Sequence, residues 1–158
     1  GKQIDRRARE LSAAIGYIPQ ENALMEDLAV KDNLALYRSL CPGKVENEYV
    51  EKLCERFSVQ SFEKEKVSRL SGGMKKRVSI VCALLHRPEI LIMDEPSTAL
   101  DLIFKEELES FIREFTGEGG SVLLSSHDEK EIRQCDKLYA IKDGVAKEIQ
   151  YESWRDFF

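Results

Sequence analysis

The sequence predicts an α/β fold with a largely parallel sheet and an inserted helical segment. Short apolar runs at residues 15–19, 90–93 and 121–126 have the length and composition of buried strands, and helical patterns alternate with them. Strands that alternate with helices form parallel sheets with helices on their faces. Between the first two strands, residues 30–65 carry only helical patterns. This stretch is therefore predicted to be a helical insertion.

The first strand ends at Pro19, which cannot donate to a strand ladder and places Gln20 in a loop. The insertion then begins a helix at Val30, and Pro42-Gly43 interrupts the helical pattern. The apolar positions of this helix and of the next one, which starts at Val45, are Val30, Leu34, Tyr37, Leu40, Tyr49, Leu53 and Phe57. Two short helices are predicted here.

Residues 70–74 read Leu-Ser-Gly-Gly-Met and open a helix that ends near Pro88. Ser71 is a good N-cap, because its hydroxyl can accept from an unpaired N–H of the first turn. A Ser-Gly-Gly turn at a helix start also aims backbone N–H groups and the positive helix end at an anion. A plain N-cap explains Ser71, but it does not explain Gly72 and Gly73, which cost helix stability.

The second strand, 90–93, ends in two adjacent carboxylates, Asp94 and Glu95. Such a pair suits a metal-bound triphosphate and an attacking water. Neighbouring strand residues point to opposite faces, so both can serve only if the chain turns at Glu95, which Pro96 favours. The alternative is a pair of carboxylates that merely caps a strand end.

The rest of the chain continues the alternation. A helix with one apolar stripe from Phe104 to Phe115 closes at Gly117, a buried strand covers 121–126, and a short helix covers 128–135. Residues 138–141 and 145–149 form a hairpin whose turn is Asp143-Gly144.

Composition limits the function classes. The chain has 158 residues, of which 42% are hydrophobic and 34% charged, with a net charge of −5. An acidic chain disfavours a nucleic-acid surface. No stretch approaches the ~20 apolar residues of a membrane-spanning helix, and no signal segment is visible. Membrane association is expected to come through a partner protein.

Two further features have ordinary explanations. Cys41, Cys54, Cys82 and Cys135 show no C-x-x-C spacing and are predicted to be small hydrophobic residues in a reducing compartment. The basic triplet at 75–77 is either a solvated helix face or a positive field behind the anion-binding helix end.

The Leu-Ser-Gly-Gly-Met stretch at 70–74 and the carboxylate pair Asp94-Glu95, together with two more stretches, resemble the ATP-binding cassette of ABC transporters. Residues 15–20 resemble its Q-loop and residues 123–127 its switch-histidine strand, so four motifs follow the family's order between about residues 15 and 149. The resemblance implies a P-loop NTPase-type sheet, here incomplete. The phosphate loop Gly-x-x-x-x-Gly-Lys-Ser/Thr does not occur in the sequence, which resembles the C-terminal part of a cassette. This stretch alone is expected not to hydrolyse ATP.

The resemblance also implies cofactors, ATP and Mg²⁺, and residue roles. Asp94 would bind Mg²⁺ with Gln20, Glu95 would activate water, and His127 would contact the γ-phosphate. Ser71, Gly72, Gly73 and Asp101 would contact nucleotide across a dimer interface, although Asp101 is also a candidate N-cap. Met74 stands where many members have glutamine, and His86 has no assigned role.

The implied organisation has three parts: 1–29 with the first strand and Q-loop, 30–70 as the helical subdomain, and 71–158 as the rest of the catalytic core. The implied partners are a transmembrane permease and a second cassette, in a homodimer or heterodimer at the inner face of the cell membrane. Chromosome-maintenance and DNA-repair ATPases share these motifs but carry a long coiled coil between the Q-loop and the signature, which in this sequence is Ser71-Gly72-Gly73. Ser71 lies only 51 positions after Gln20, an interval that suits two or three short helices and favours transport. Translation-factor ATPases, with two cassettes per chain, remain a third option.

In the family's strand order, the phosphate-loop strand lies between strand 121–126 and the C-terminal hairpin. The gap that its absence leaves is expected to be closed by direct pairing of 121–126 with 138–141, by a second copy, or by N-terminal residues. Unpaired strand edges would otherwise aggregate.

Overall fold

The computed structural model describes residues 13–98 and 100–152. The chain divides into two units, one ending at Ser125 and the other starting at Ser126. The first unit contains β1 (Ile15–Ile18), α1 (Val30–Leu40), α2 (Asn47–Arg56), single 3₁₀ turns at Gln60–Phe62 and Val67–Arg69, α3 (Gly72–Leu84), β2 (Ile90–Asp94), α4 (Leu102–Gly117) and β3 (Ser121–Ser125). The second contains α5 (Glu129–Arg133), β4 (Leu138–Lys142) and β5 (Val145–Ile149).

The sheet of the first unit is parallel throughout, in the order β1-β2-β3. Met93 on the central strand aligns with Ile18 on β1 and with Leu124 on β3. The predicted parallel α/β sheet is confirmed. Because parallel strands end at the same edge, the segments after Ile18 and after Met93 leave the sheet side by side.

The insertion between β1 and β2 is helical, as predicted for residues 30–65. It shares one apolar core with the sheet and α4. Phe57, fully buried at the end of α2, meets Phe104 and Phe111 edge to face, with ring centroids 5.9 and 5.4 Å apart. Arg56 adds an ion pair of 3.1 Å to Glu107 on α4. The contacts of Phe57 and Arg56 therefore attach the C-terminal end of α2 to α4.

A close backbone approach sets the position of β1. A Cβ at Gly16 would lie 2.7 Å from the Ala83 carbonyl oxygen, 2.7 Å from Leu91 Cδ2 and 2.9 Å from Pro88 Cγ. Only glycine lets β1 pass the end of α3 at this distance.

Gly16→Ala is accordingly expected to lower the free energy of unfolding of the full-length protein. Overpacking of a core typically costs about 1–3 kcal/mol. Denaturant unfolding should show a lower midpoint. Gly43→Ala is the control, because no heavy atom lies within 4 Å of the Cβ added there. Equal midpoints for the Gly16 variant and wild type would contradict the close approach.

The expectation that strand 121–126 is buried is wrong for one of its faces. Ser121, Leu123 and Ser125 are exposed, and Leu123 is 62% exposed. Leu123 shares its row with Tyr17, which is 54% exposed. Within the described residues of the first unit, β3 is an edge strand and this face of the sheet is open. Leu40 also departs from expectation at 72% exposure, since it lies in the last turn of α1.

β3 pairs with β2, and β4 pairs with β5 in a two-stranded sheet. Closure of the expected gap by direct pairing of 121–126 with 138–141, by a second copy or by N-terminal residues stays a prediction.

The second unit contains the predicted hairpin. Lys142 pairs with Val145 across a two-residue turn in which Asp143 and Gly144 have φ of 54° and 76°. Positive φ at both positions is the geometry of a type I′ turn. Asp128 caps α5 by accepting from Lys130 N at 2.9 Å. The hairpin turn is confirmed, and the short helix predicted over 128–135 is confirmed over Glu129–Arg133.

The four cysteines are free thiols, as expected. Cys54 and Cys82 lie in the core, and burial raises the pKa of Cys82 well above its usual range. Within residues 13–98 and 100–152, no helix combines the length and apolar character needed to cross a membrane.

Candidate functional site

The chain turns at Glu95, as the sequence predicted. β2 ends at Asp94, and Glu95 has φ of 46°, in the left-handed region that few non-glycine residues adopt. The turn is held by Glu95 N, which donates to the Ser125 carbonyl at 3.1 Å and to Ser125 Oγ at 3.3 Å. Strained backbone of this kind costs on the order of 1–3 kcal/mol and is typical of functional sites.

Ser125 also contacts the first carboxylate. Its hydroxyl donates to Asp94 Oδ1 at 2.5 Å, and the two residues are register partners across β2 and β3. One serine thus orients both Asp94 and the Glu95 turn. Sequence reasoning missed this residue. The sequence signal that could have identified Ser125 is its position at the end of β3, the strand that pairs with β2.

Ser71 caps α3, as predicted. Its Oγ accepts from Met74 N at 3.2 Å, while Ser71 itself and Gly72 stay exposed. Met74 is half-buried against the core. An exposed helix start with two glycines keeps the anion-binding interpretation open beside the N-cap, because the side-chain cap occupies only one N–H.

Gln20 lies on an exposed loop directly after β1, as expected. The loop is held to the helical insertion by Asn33, which is fully buried and exchanges hydrogen bonds with Met25 N and Met25 O at 2.8 and 3.1 Å. Tyr37 Oη donates to the Ala23 carbonyl. Contacts from α1 therefore define the path of the loop.

The basic triplet does not form a solvated face. Lys76 is only 2% exposed, so that interpretation is wrong for this residue. Each member has its own partner: Lys75 Nζ meets Glu26 at 2.8 Å, Lys76 Nζ donates to the Pro19 and Gln20 carbonyls, and Arg77 meets Asp101 at 2.9 Å. The triplet therefore connects α3 to the loop after β1 and to Asp101.

Asp101 caps α4 and pairs with the signature helix. Its Oδ1 accepts from Phe104 N at 2.9 Å, and its Oδ2 accepts from Arg77, whose guanidinium lies 4.0 Å from the Phe104 ring centroid. The Phe104 N–H and then Arg77 lower the pKa of Asp101. The N-cap alternative is correct, and a further role across a dimer interface stays a prediction.

The two histidines differ. His86 Nε2 donates to the Ile15 carbonyl at 3.0 Å, a structural contact in keeping with its lack of an assigned role. His127 is exposed and belongs to the second unit, two residues after Ser125. Next to it, Ser126 Oγ accepts from Asp128 N at 3.0 Å. The role of His127 toward a phosphate stays a prediction.

The side-chain oxygens of Asp94, at the end of β2, and of Gln20, in the loop after β1, are of the kind that Mg²⁺ prefers. Magnesium prefers hard oxygen ligands and keeps several waters, so one carboxylate and one amide oxygen suffice from the protein. Asp94 offers a carboxylate already oriented by Ser125, and Gln20 offers an amide. Among the described residues, no cluster of three or more His, Cys, Asp or Glu side chains could hold a metal.

Comparison with known proteins identifies the family. Residues 1–98 match the family model described as ABC transporter. This chain belongs to the ABC transporter family. The match covers more than half of this chain, referred to below as the ABC chain, and includes the Q-loop, the signature and the two carboxylates.

Three curated relatives support the assignment. The ABC chain is 35% identical over 136 residues to the probable multidrug ABC transporter ATP-binding protein YbhF of Escherichia coli, covering 85% of this chain and 24% of the relative. It is 37% identical over 145 residues to ABC transporter A family member 11 of Dictyostelium discoideum, covering 89% and 17%. It is 35% identical over 148 residues to the Nod factor export ATP-binding protein I of Paraburkholderia xenovorans, covering 91% and 48%. The ABC chain thus spans less than half the length of each of these relatives.

A solved structure shows the same fold. The ABC chain matches the ATP-binding cassette MJ0796, described as a dimer in a post-hydrolysis state bound to ADP and Pi, with a TM-score of 0.77 and 26% identity. The match covers 94% of this chain and 68% of that one. The fold of the ABC chain is therefore that of a P-loop NTPase.

Proposed function

We propose that this ABC chain is part of an ATP-hydrolysing subunit that powers substrate transport through a membrane permease. The observation that carries the proposal is the end of β2, where Asp94 and the left-handed Glu95 are both held by Ser125. Membership of the ABC transporter family supports a nucleotide-binding role for this end of the strand.

In the proposed mechanism, the triphosphate of ATP lies at the carboxyl edge of the parallel sheet. Asp94 and Gln20 would hold Mg²⁺, which neutralises phosphate charge when bound. Glu95 takes a proton from the water that attacks the γ-phosphorus, the bond between the γ-phosphorus and the β,γ-bridging oxygen breaks, and the products are ADP and inorganic phosphate. His127 is proposed to donate a hydrogen bond to the γ-phosphate.

The signature residues are proposed to act on the nucleotide of a second cassette. Ser71, Gly72 and Gly73 present a hydroxyl and N–H groups at an exposed helix start, where the helix dipole favours phosphate. Asp101, tied to α3 through Arg77, would lie across the same interface. The dimeric state described for MJ0796 supports a two-cassette arrangement.

The three-part organisation of 1–29, 30–70 and 71–158 is kept as a proposal. The sequence contains no Gly-x-x-x-x-Gly-Lys-Ser/Thr loop, whose backbone N–H groups and lysine would hold the phosphates of ATP. We infer that these 158 residues do not hydrolyse ATP alone and that the complete subunit works in the cytoplasm, peripheral to the inner face of the membrane.

Purification of the tagged full-length protein in mild detergent tests the transport role. We expect a polytopic membrane protein to be recovered with it in fixed stoichiometry, and a tagged unrelated cytosolic protein to recover none. Recovery with ribosomes or DNA instead would favour a cytosolic ABC ATPase of translation or of DNA repair and chromosome maintenance, and would contradict transport.

A further inference from the structure

Lys76 is a buried lysine with two backbone partners. It lies in the second turn of α3 and is 2% exposed. A buried ammonium is costly unless its N–H groups are hydrogen-bonded. Its Nζ donates to the Pro19 carbonyl at 2.8 Å and to the Gln20 carbonyl at 3.1 Å. Both of these acceptors belong to one short stretch of the loop after β1.

The two carbonyls flank a single Cα atom. The Pro19 carbonyl belongs to the peptide plane before the Gln20 Cα, and the Gln20 carbonyl belongs to the plane after it. Holding both planes restricts φ and ψ of Gln20, because these are the soft backbone dihedrals of the residue. The direction of the Gln20 Cα–Cβ bond then follows. The side chain of Gln20 is exposed, but its starting direction is defined by Lys76.

The carboxylates at the end of β2 act electrostatically on Lys76. Burial lowers the pKa of Lys76, while Asp94 and Glu95 act in the opposite direction. Lys76 therefore holds the backbone of Gln20 by hydrogen bonds and also interacts electrostatically with the two carboxylates at the end of β2. Its neighbour Lys75 adds a second tie, at 2.8 Å to Glu26 farther along the same loop.

We propose that Lys76 is a positioning residue that aims Gln20 at the metal-binding edge of the sheet and couples this loop to the helix that starts at Ser71. A displacement of α3 would then be transmitted to Gln20 through the two carbonyls. The proposal rests on the proposed function in that Gln20 is taken to face Mg²⁺.

Lys76→Met in the full-length protein tests the proposal, because methionine fills similar space without donors. Hydrogen exchange in the nucleotide-free state should become at least about tenfold faster for the Met25 amide, which donates to Asn33 within this loop, because the loop loses its two hydrogen bonds from Lys76. Amides of β2 and α4 should be unchanged. Lys52→Met is the matched control, because Lys52 pairs with Glu48 on an exposed face of α2. Lys76→Gln, which retains an N–H donor, should restore part of the protection and replaces the methionine variant if that does not fold.

A second readout separates positioning from stability. In Lys76→Met, the Mg²⁺ concentration for half-maximal ATPase activity should rise by roughly tenfold while the Kd for ATP measured without Mg²⁺ stays within about twofold. A lower melting temperature with unchanged loop exchange and unchanged Mg²⁺ dependence would overturn the proposal. Absence of ATPase activity in wild type would reject the proposed function instead, and loop exchange alone would then decide the role of Lys76.

Discussion

Glu95→Gln in the full-length protein is expected to abolish ATP turnover while ATP binding persists. Glutamine fills the same space but cannot take a proton from the attacking water. Loss of a positioned catalytic group typically costs on the order of 10²–10⁴ in rate. Phosphate release under saturating MgATP measures the loss, and equilibrium binding of ATP should remain within a few-fold of wild type.

Glu89→Gln is the matched control for this variant. Glu89 precedes the same strand, is exposed, and lies at the opposite end of β2 from Glu95. The same chemical change there should leave turnover unchanged. Wild-type phosphate release in Glu95→Gln would remove Glu95 from the proposed role. Loss of ATP binding together with turnover would point to a disrupted turn, because Glu95 N is held by Ser125.

Ser71→Arg should prevent ATP-induced dimerisation and leave ATP binding by one cassette largely intact. The long cation would fill the exposed helix start that is proposed to meet the partner's nucleotide. Sedimentation in a Glu95→Gln background, which slows hydrolysis and preserves the ATP state, provides the measurement. We expect a monomer with Ser71→Arg under ATP and a dimer without it.

Two controls address the cap that Ser71 forms. Ser71→Asn keeps an N-cap and should leave the thermal stability near that of wild type, whereas loss of a cap costs about 1 kcal/mol. Ser68→Arg places the same charge on an exposed residue just before the signature and should allow dimerisation. A collapse of single-cassette ATP affinity in Ser71→Arg, with dimerisation retained, would show that the signature acts on its own nucleotide.

Local signals in the sequence predicted much of the fold. Pro96 after two carboxylates indicated the turn at Glu95, and the structure places that residue at φ of 46°. Ser71 before a helical pattern indicated an N-cap, and Asp143-Gly144 indicated a two-residue hairpin turn. Each of these depends on residues within a few positions of one another, so periodicity and turn chemistry were sufficient.

Contacts between distant segments were not predictable in this way. Lys76 meets the carbonyls of Pro19 and Gln20, which lie 57 and 56 positions away, so its burial has no local signature. Ser125 reaches Asp94 only through the register of β3 on β2. Gly16 is required by the approach of Ala83. Such features depend on tertiary packing, which overrides the local expectation of a solvated lysine or an ordinary strand glycine.

Burial of β3 was overestimated for a related reason. An apolar run predicts burial on both faces, but burial depends on what covers each face of the sheet. α4 packs against β3. On the opposite face, Leu123 and Tyr17 stay more than half exposed in the described residues. The sequence pattern indicates an apolar strand and does not say which element covers it.

The nucleotide retained by the full-length Glu95→Gln variant tests the central claim most directly. After incubation with MgATP and rapid removal of free nucleotide, the bound nucleotide is extracted and identified. If the end of β2 is the hydrolytic centre of an ABC ATPase, the variant retains unhydrolysed ATP, and wild type treated identically retains ADP or none. Retention of ADP by the variant, or of no nucleotide by either protein, would contradict the account.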